Sequence, residues 1–160
     1  MSTYPQQPQQ TEQYGVQAGE PPLWAPYYGA PIGAAVKRFF KKYTAFSGRA
    51  SRSEYWWWTL VAALVSVVLQ IFTMSGLSVG VDGDPVYGAT FVIGSIVWGL
   101  WGLATIIPSI ALIIRRLHDG NFSGLFALLL LVPFAGQLAV FIMTLLPSNP
   151  AGQRFDQPTA

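Results

Sequence analysis

At 160 residues, with 52% of them hydrophobic and only 10% charged, the chain is far more apolar than a soluble domain, which carries about 25% charged residues. Its net charge of +2 is too small to argue for a nucleic-acid partner, and the absence of cysteine excludes disulfides, thiol nucleophiles and cysteine metal sites. Met1 to Thr11 shows neither the basic nor the apolar block of a signal peptide.

Residues 1–33 read as a disordered tail. Gln6, Gln7, Gln9, Gln10, Gln13 and Gln17 alternate with Pro5, Pro8, Pro21, Pro22, Pro26 and Pro31, and such a segment buries too little apolar surface to offset its ordering entropy. Its tyrosines and Trp24 are either contacts for a partner or parts of a solvated linker.

From Val36 to Phe46 the pattern becomes helical. Val36, Phe39, Phe40, Tyr43 and Phe46 recur at spacings of three and four, with Lys37, Arg38, Lys41 and Lys42 on the opposite face. This is a basic amphipathic helix, lying in the headgroup plane or packed on the rest of the protein. Ser47-Gly48 ends it, and Ser51-Arg52-Ser53-Glu54 has the spacing of a capping box, so a new helix should begin near Arg52. Tyr55, Trp56, Trp57 and Trp58 then supply an aromatic interfacial belt.

Three charge-free runs follow: Tyr55–Val79, Ala89–Ile114 and Leu125–Leu146. A spanning helix needs about 20 mostly apolar residues, because hydrocarbon offers no water to an irregular backbone. The expected fold is therefore an all-α integral membrane protein. It has about three transmembrane helices (about 55–78, 89–114 and 125–146), kinked at Pro108 and Pro133. The amphipathic helix and the tail precede a membrane domain over residues 34–147, and a flexible tail over 148–160 follows. Gly76–Gly88 is a connecting loop with turn chemistry at Asp82-Gly83-Asp84-Pro85. It lacks the further ligands of a calcium loop, and no cofactor is expected.

In the second run Ser95, Gly99 and Gly102 fall at i, i+4 and i+7, a small-residue seam for a helix of this chain or of a second copy. Pro133-Phe134-Ala135-Gly136 interrupts the third run, as a kink or as the tip of a re-entrant hairpin. Gln70 and Gln137 are the only amides in the runs and are expected to hydrogen-bond to each other.

Basic residues flank one side of the runs. Lys37, Arg38, Lys41, Lys42, Arg49 and Arg52 precede the first, Arg115 and Arg116 follow the second, and only Asp82 and Asp84 lie between. The positive-inside rule places the N-terminus in the cytoplasm, and three crossings would leave the C-terminus outside. Arg115, Arg116, His118 and Asp119 are the polar concentration of the domain. They either complement a helix end and snorkel to phosphates, or join Arg49, Arg52 and Glu54 in a cluster that binds anionic lipid headgroups or a membrane-protein partner. His118, the only histidine, lacks companions for a metal site or a marked nucleophile, so the chain reads as non-enzymatic.

Several of these residues fall in a shared pattern. Phe40-Lys41-Lys42-Tyr43 with the run Phe46 to Trp56, then Ile107-Pro108-Ser109, Arg115-Arg116-Leu117-His118-Asp119, Ser123-Gly124 and Val132-Pro133-Phe134-Ala135-Gly136 resemble the DUF 805 family. These are small bacterial inner-membrane proteins with a domain of unknown function. The chain departs from the pattern in Leu125-Phe126 after Ser-Gly and in Gln153-Arg154-Phe155-Asp156, which keeps only an Arg-Phe core. The resemblance implies a multi-span domain in a bacterial cytoplasmic membrane, and no particular activity.

Overall fold

The computed structural model describes residues 20–156. Four α-helices run in chain order: α1 (Ile32–Lys41), α2 (Arg52–Met74), α3 (Ala89–Asp119) and α4 (Ala135–Leu145). A small antiparallel hairpin, β1 (Leu77–Val79) with β2 (Pro85–Tyr87), joins α2 to α3, and 3₁₀ turns cover Gly124–Leu131 and Pro150–Phe155.

Two helices are long and apolar enough to cross a membrane. At 1.5 Å per residue, α2 is about 35 Å long and α3 about 46 Å, against a hydrocarbon core of about 30 Å. Only 11% and 17% of their most apolar windows are buried within the protein, so most of that apolar surface faces outward. A core helix of a soluble domain would be mostly buried instead. The true packing core sits at the basic end, where Phe39 stacks on Trp58 at 3.4 Å between ring centroids, with Ala50 and Leu112 beside them.

The start of α2 follows the local chemistry. Ser51 Oγ accepts from Glu54 N at 3.2 Å, and the Glu54 carboxylate accepts from Ser51 N at 3.0 Å. The expected capping box is thus formed. Helix α3 continues through Pro108, whose missing N–H leaves the Ala104 carbonyl without its helical donor. Tyr43 Oη donates to that carbonyl at 2.8 Å. The last turns of α3, from Leu112 to Asp119, are largely buried among the Gly48–Ala50 backbone, the end of α4 and the C-terminal segment rather than splayed along a surface.

The third apolar run is not one spanning-length helix, so the expectation of three transmembrane helices is not confirmed. Residues 125–146 divide into the 3₁₀ segment and α4, each about 16 Å long, half of what a crossing needs. The reversal centres on Phe134, at φ 58° and ψ −67°, with Ala135 N donating to Pro133 O at 2.7 Å. That is a γ-turn of the rare positive-φ form. The two arms touch at Gly136, where a Cβ would run into the Leu129 carbonyl. The hairpin alternative is the one the backbone adopts, because Pro133 and Gly136 permit a reversal that a kinked helix would not need.

Other expectations also change. The connection at Gly76–Gly88 holds two three-residue strands, too short for period-two patterning to reveal, with the turn at Gly83 (φ 85°) where expected. The expected disorder over residues 1–33 does not hold from Glu20 onward. Residues 1–19 lie outside the described residues, but Ala25 and Ala30 are buried and the segment from Glu20 to Pro31 packs on α1 and α2. The glutamines that suggested disorder all precede residue 18, whereas the prolines that follow hold carbonyls open for Arg38. At the other end, residues 148–156 pack on the end of α3 rather than trailing as a flexible tail, and residues 157–160 lie outside the described residues.

Gln70 and Gln137 are both exposed, and no hydrogen bond joins them among the described residues. Depth explains this. Trp56 meets Phe141, Gln70 lies about 21 Å along α2 from that contact, and Gln137 only about 6 Å along α4. The seam of Ser95, Gly99 and Gly102 also has no partner helix within the described residues, since a Cβ on Gly99 or Gly102 would meet nothing within 4 Å. The close approach of α2 and α3 occurs at Gly94, where a Cβ would lie 2.9 Å from Thr73 Cα.

Candidate functional site

The polar residues of the basic end form two linked clusters, each around one carboxylate. The capping box fixes Glu54 at the start of α2 with its carboxylate toward α1. Arg38 Nε donates to Glu54 Oε1 at 2.7 Å, Tyr27 N donates to Oε2 at 3.0 Å, and Lys42 Nζ stands 3.7 Å from Oε1. Arg38 also collects the carbonyls of Pro21, Pro22 and Ala25, which ties the N-terminal segment to α1. Arg115 approaches from α3, its carbonyl accepting from Ala50 N at 2.9 Å and its Nε donating to Ala111 O at 3.2 Å. Burial drives the Lys42 pKa down to about 8, with Arg38 and Arg115 adding to the effect and Glu54 opposing it.

Asp119 organises the second cluster. Its carboxylate faces Arg116 Nη1 at 2.5 Å and Arg49 Nη1 at 3.5 Å, and accepts from Tyr28 Oη at 2.8 Å and Ser148 Oγ at 2.5 Å. Arg116 further binds the Thr144 and Leu146 carbonyls, so the end of α4 is held against α3. Arg49 reaches on to Asp156 in a bidentate pair at 2.7 and 2.9 Å. Burial disfavours the Arg49 charge, but Asp156, Tyr28 and Asp119 outweigh it and its pKa is raised. Burial next to Asp119 pushes Tyr28 up to about 12. His118 stacks on Phe155 at 4.0 Å, and its Nδ1 lies 3.0 Å from Gly48 O.

Together these contacts place the N-terminal segment, the start of α2, the end of α3 and the C-terminal segment at one end of the molecule. Of the expected cluster of Arg49, Arg52 and Glu54 with Arg115, Arg116 and Asp119, Arg49 joins Arg116 at Asp119 and Arg115 lies near Glu54, while Glu54 pairs with Arg38 and Lys42 instead and Arg52 stays outside both groups. Snorkelling of Arg115 and Arg116 is corrected, since both are buried in protein. The basic face of α1 divides: Lys37 and Lys41 are exposed, while Arg38 and Lys42 face Glu54. Helix α1 is packed on the domain because a buried carboxylate there demands cations.

Arg52 is the exposed member at the start of α2, its Nε donating to Leu146 O at 3.2 Å. It borders a groove of about 380 Å³ also lined by Tyr28, Ser51, Ser53 and Ser148. Sequence reasoning passed over Ser148, and it placed Tyr28 in a disordered tail, Tyr43 on an apolar helix face and Asp156 in a C-terminal pattern without seeing the contacts they make. Phe155 had a signal, the Arg-Phe core near the C-terminus.

The chain is 36% identical over 115 residues to "Inner membrane protein YhaI" of Escherichia coli strain K12, covering 72% of this chain and 86% of that protein. It is 32% identical over 119 residues to "Inner membrane protein YhaH" of the same strain, covering 74% and 89%. No solved structure matches. A family model described as "Protein of unknown function (DUF805)" matches residues 43–157, from the tyrosine that caps the Pro108 gap to just beyond Asp156, and the chain belongs to that family.

Proposed function

We propose that the protein is a non-enzymatic, multi-pass module of the bacterial inner membrane that binds anionic lipid at its cytoplasmic face. In this reading α2 and α3 cross the bilayer, the segment 124–145 enters and returns, and both termini lie in the cytoplasm. The observation that carries it is the division of the cations. Arg38, Lys42, Arg49 and Arg116 turn inward onto Glu54, Asp119 and Asp156, whereas Lys41 and Arg52 are exposed with no acidic partner among the described residues, Lys37 is exposed beside Glu20, and Arg52 borders the groove. Each basic residue near an anionic leaflet contributes about 1 kcal/mol, and an exposed guanidinium suits a phosphodiester. Inner-membrane relatives support the location.

The test is native mass spectrometry and thermal unfolding of the detergent-purified protein with added lipid. Phosphatidylglycerol should be retained and should raise Tm, and phosphatidylcholine should do neither. Arg52→Gln combined with Lys41→Gln should weaken that preference. Equal responses to both lipids would remove the reading.

A transporter or channel subunit is the second reading, favoured by the reversal at Phe134, since broken segments line many transport sites. Against it, no charged residue lies in the middle of α2 or α3. Solute flux in proteoliposomes tests it. An interface enzyme acting on lipid is third, and the stacked, hydrogen-bonded ring of His118 speaks against acid–base work there.

A further inference from the structure

Three cations converge on the buried carboxylate of Glu54, and two of them are incompletely used. Arg38 and Arg115 are each 1% exposed, Lys42 5% and Glu54 3%. Arg38 is saturated, with Glu54, Glu20 at 3.5 Å and the carbonyls of the N-terminal segment around it. Lys42 Nζ and Arg115 Nη2 make no hydrogen bond to any described residue. Among the described residues the buried cations Arg38, Lys42 and Arg115 face one buried carboxylate, Glu54, and only Arg38 also reaches the partly exposed Glu20. Lys42 shares Glu54 with Arg38, Arg115 has no carboxylate within 4 Å among the described residues, and each unmade donor adds its own desolvation cost.

We propose that Lys42 Nζ and Arg115 Nη2 form a site for one small monovalent anion of halide size, lodged between α1, α2 and α3. The class follows from charge and closure. The cluster around Glu54 carries a positive excess and two unpartnered buried donors, which suit a spherical acceptor. With every wall residue at most 5% exposed, a phosphate headgroup has no way in unless α1 lifts away. The anion acts as a structural counter-ion that locks α1 onto the paired helices. The site is separate from Lys37, Lys41 and Arg52, so its fate is independent of lipid binding at the surface.

The experiment is thermal unfolding of the detergent-purified full chain as sodium chloride or bromide replaces sodium gluconate at fixed ionic strength. A saturable rise of Tm by several degrees is expected, reduced by more than half in Lys42→Met. Because that variant could fail to fold, anomalous scattering from crystals of the unaltered protein grown in bromide supplies a second reading. A bromide peak within hydrogen-bond reach of Lys42 Nζ and Arg115 Nη2 is expected. An absent peak, a Tm indifferent to the halide, or stabilisation by phosphate in place of halide would overturn the assignment.

Discussion

Glu54→Gln isolates the charge that holds the basic end together. Glutamine has nearly the same shape and still serves a capping box, so the start of α2 keeps its cap. What disappears is the counter-ion for Arg38 at 2.7 Å and Lys42 at 3.7 Å, in a site where all three side chains are at most 5% exposed. Removing one partner of a buried ion pair costs about 3–5 kcal/mol, because the remaining charge is left uncompensated. Against a typical stability of about 5–15 kcal/mol, that is a large fraction. Unfolding in detergent, followed by tryptophan fluorescence from Trp58 stacked on Phe39, reads the loss. Pairing Glu54→Gln with Arg38→Met should recover part of it, since the uncompensated cation is gone. A Glu54→Gln protein within about 1 kcal/mol of the parent would refute the argument that this carboxylate is the electrostatic centre of the fold.

Further outcomes follow from the same geometry. Tyr43→Phe should cost about 1 kcal/mol by stripping the donor from Ala104 O, and should cost far less in a Pro108→Ala background, where residue 108 regains an N–H; a double-mutant cycle by chemical unfolding measures this. Gly94→Ala should weaken α2–α3 packing, because its Cβ meets Thr73, while Gly99→Ala and Gly102→Ala should be neutral or stabilising by up to about 1 kcal/mol from helix propensity. If Gly99→Ala were as costly as Gly94→Ala, a second copy would occupy the seam. Stability should also rise with alkaline pH. Lys42, facing Glu54 on α2, Arg115 on α3 and Arg38 on its own helix, has a folded pKa of about 8 against 10.5. Between those values the unfolded chain holds the extra proton, so up to about 3 kcal/mol is gained from pH 8 to 10.5. Lys42→Met should flatten that slope in unfolding curves taken across the range.

The helices α2 and α3, the capping box at Ser51 and Glu54, and the turn at Gly83 were legible because each depends on neighbours in the chain. Run length, a three-residue spacing and a glycine in a turn are local facts. The third run was only half legible for the opposite reason: Pro133 to Gly136 marked the break, but not whether it is a kink or a hairpin. Hydropathy counts Leu125 to Leu146 as one block, and only the γ-turn at Phe134 and the arm contact at Gly136 divide it. Arg38 and Lys42 looked outward on a helical wheel because the wheel does not contain Glu54, which lies across a break in the chain. The pairing of Gln70 with Gln137 assumed equal depth, which a half-length α4 cannot provide. The Asp119 cluster was half visible: Arg116 and His118 were adjacent in sequence, but Tyr28, Ser148 and Asp156 arrive from distant segments.

The most direct test is the side of the membrane on which the C-terminal segment lies. The natural chain has no cysteine, so single cysteines report without background. Asp82→Cys and Gln153→Cys, both at exposed positions, are treated in intact cells with a membrane-impermeant maleimide after the outer membrane is opened. Two crossings with a returning hairpin require labelling at 82 from outside, and at 153 only after the inner membrane is disrupted. Labelling at 153 from outside would restore a third crossing and separate Asp156 from Arg49.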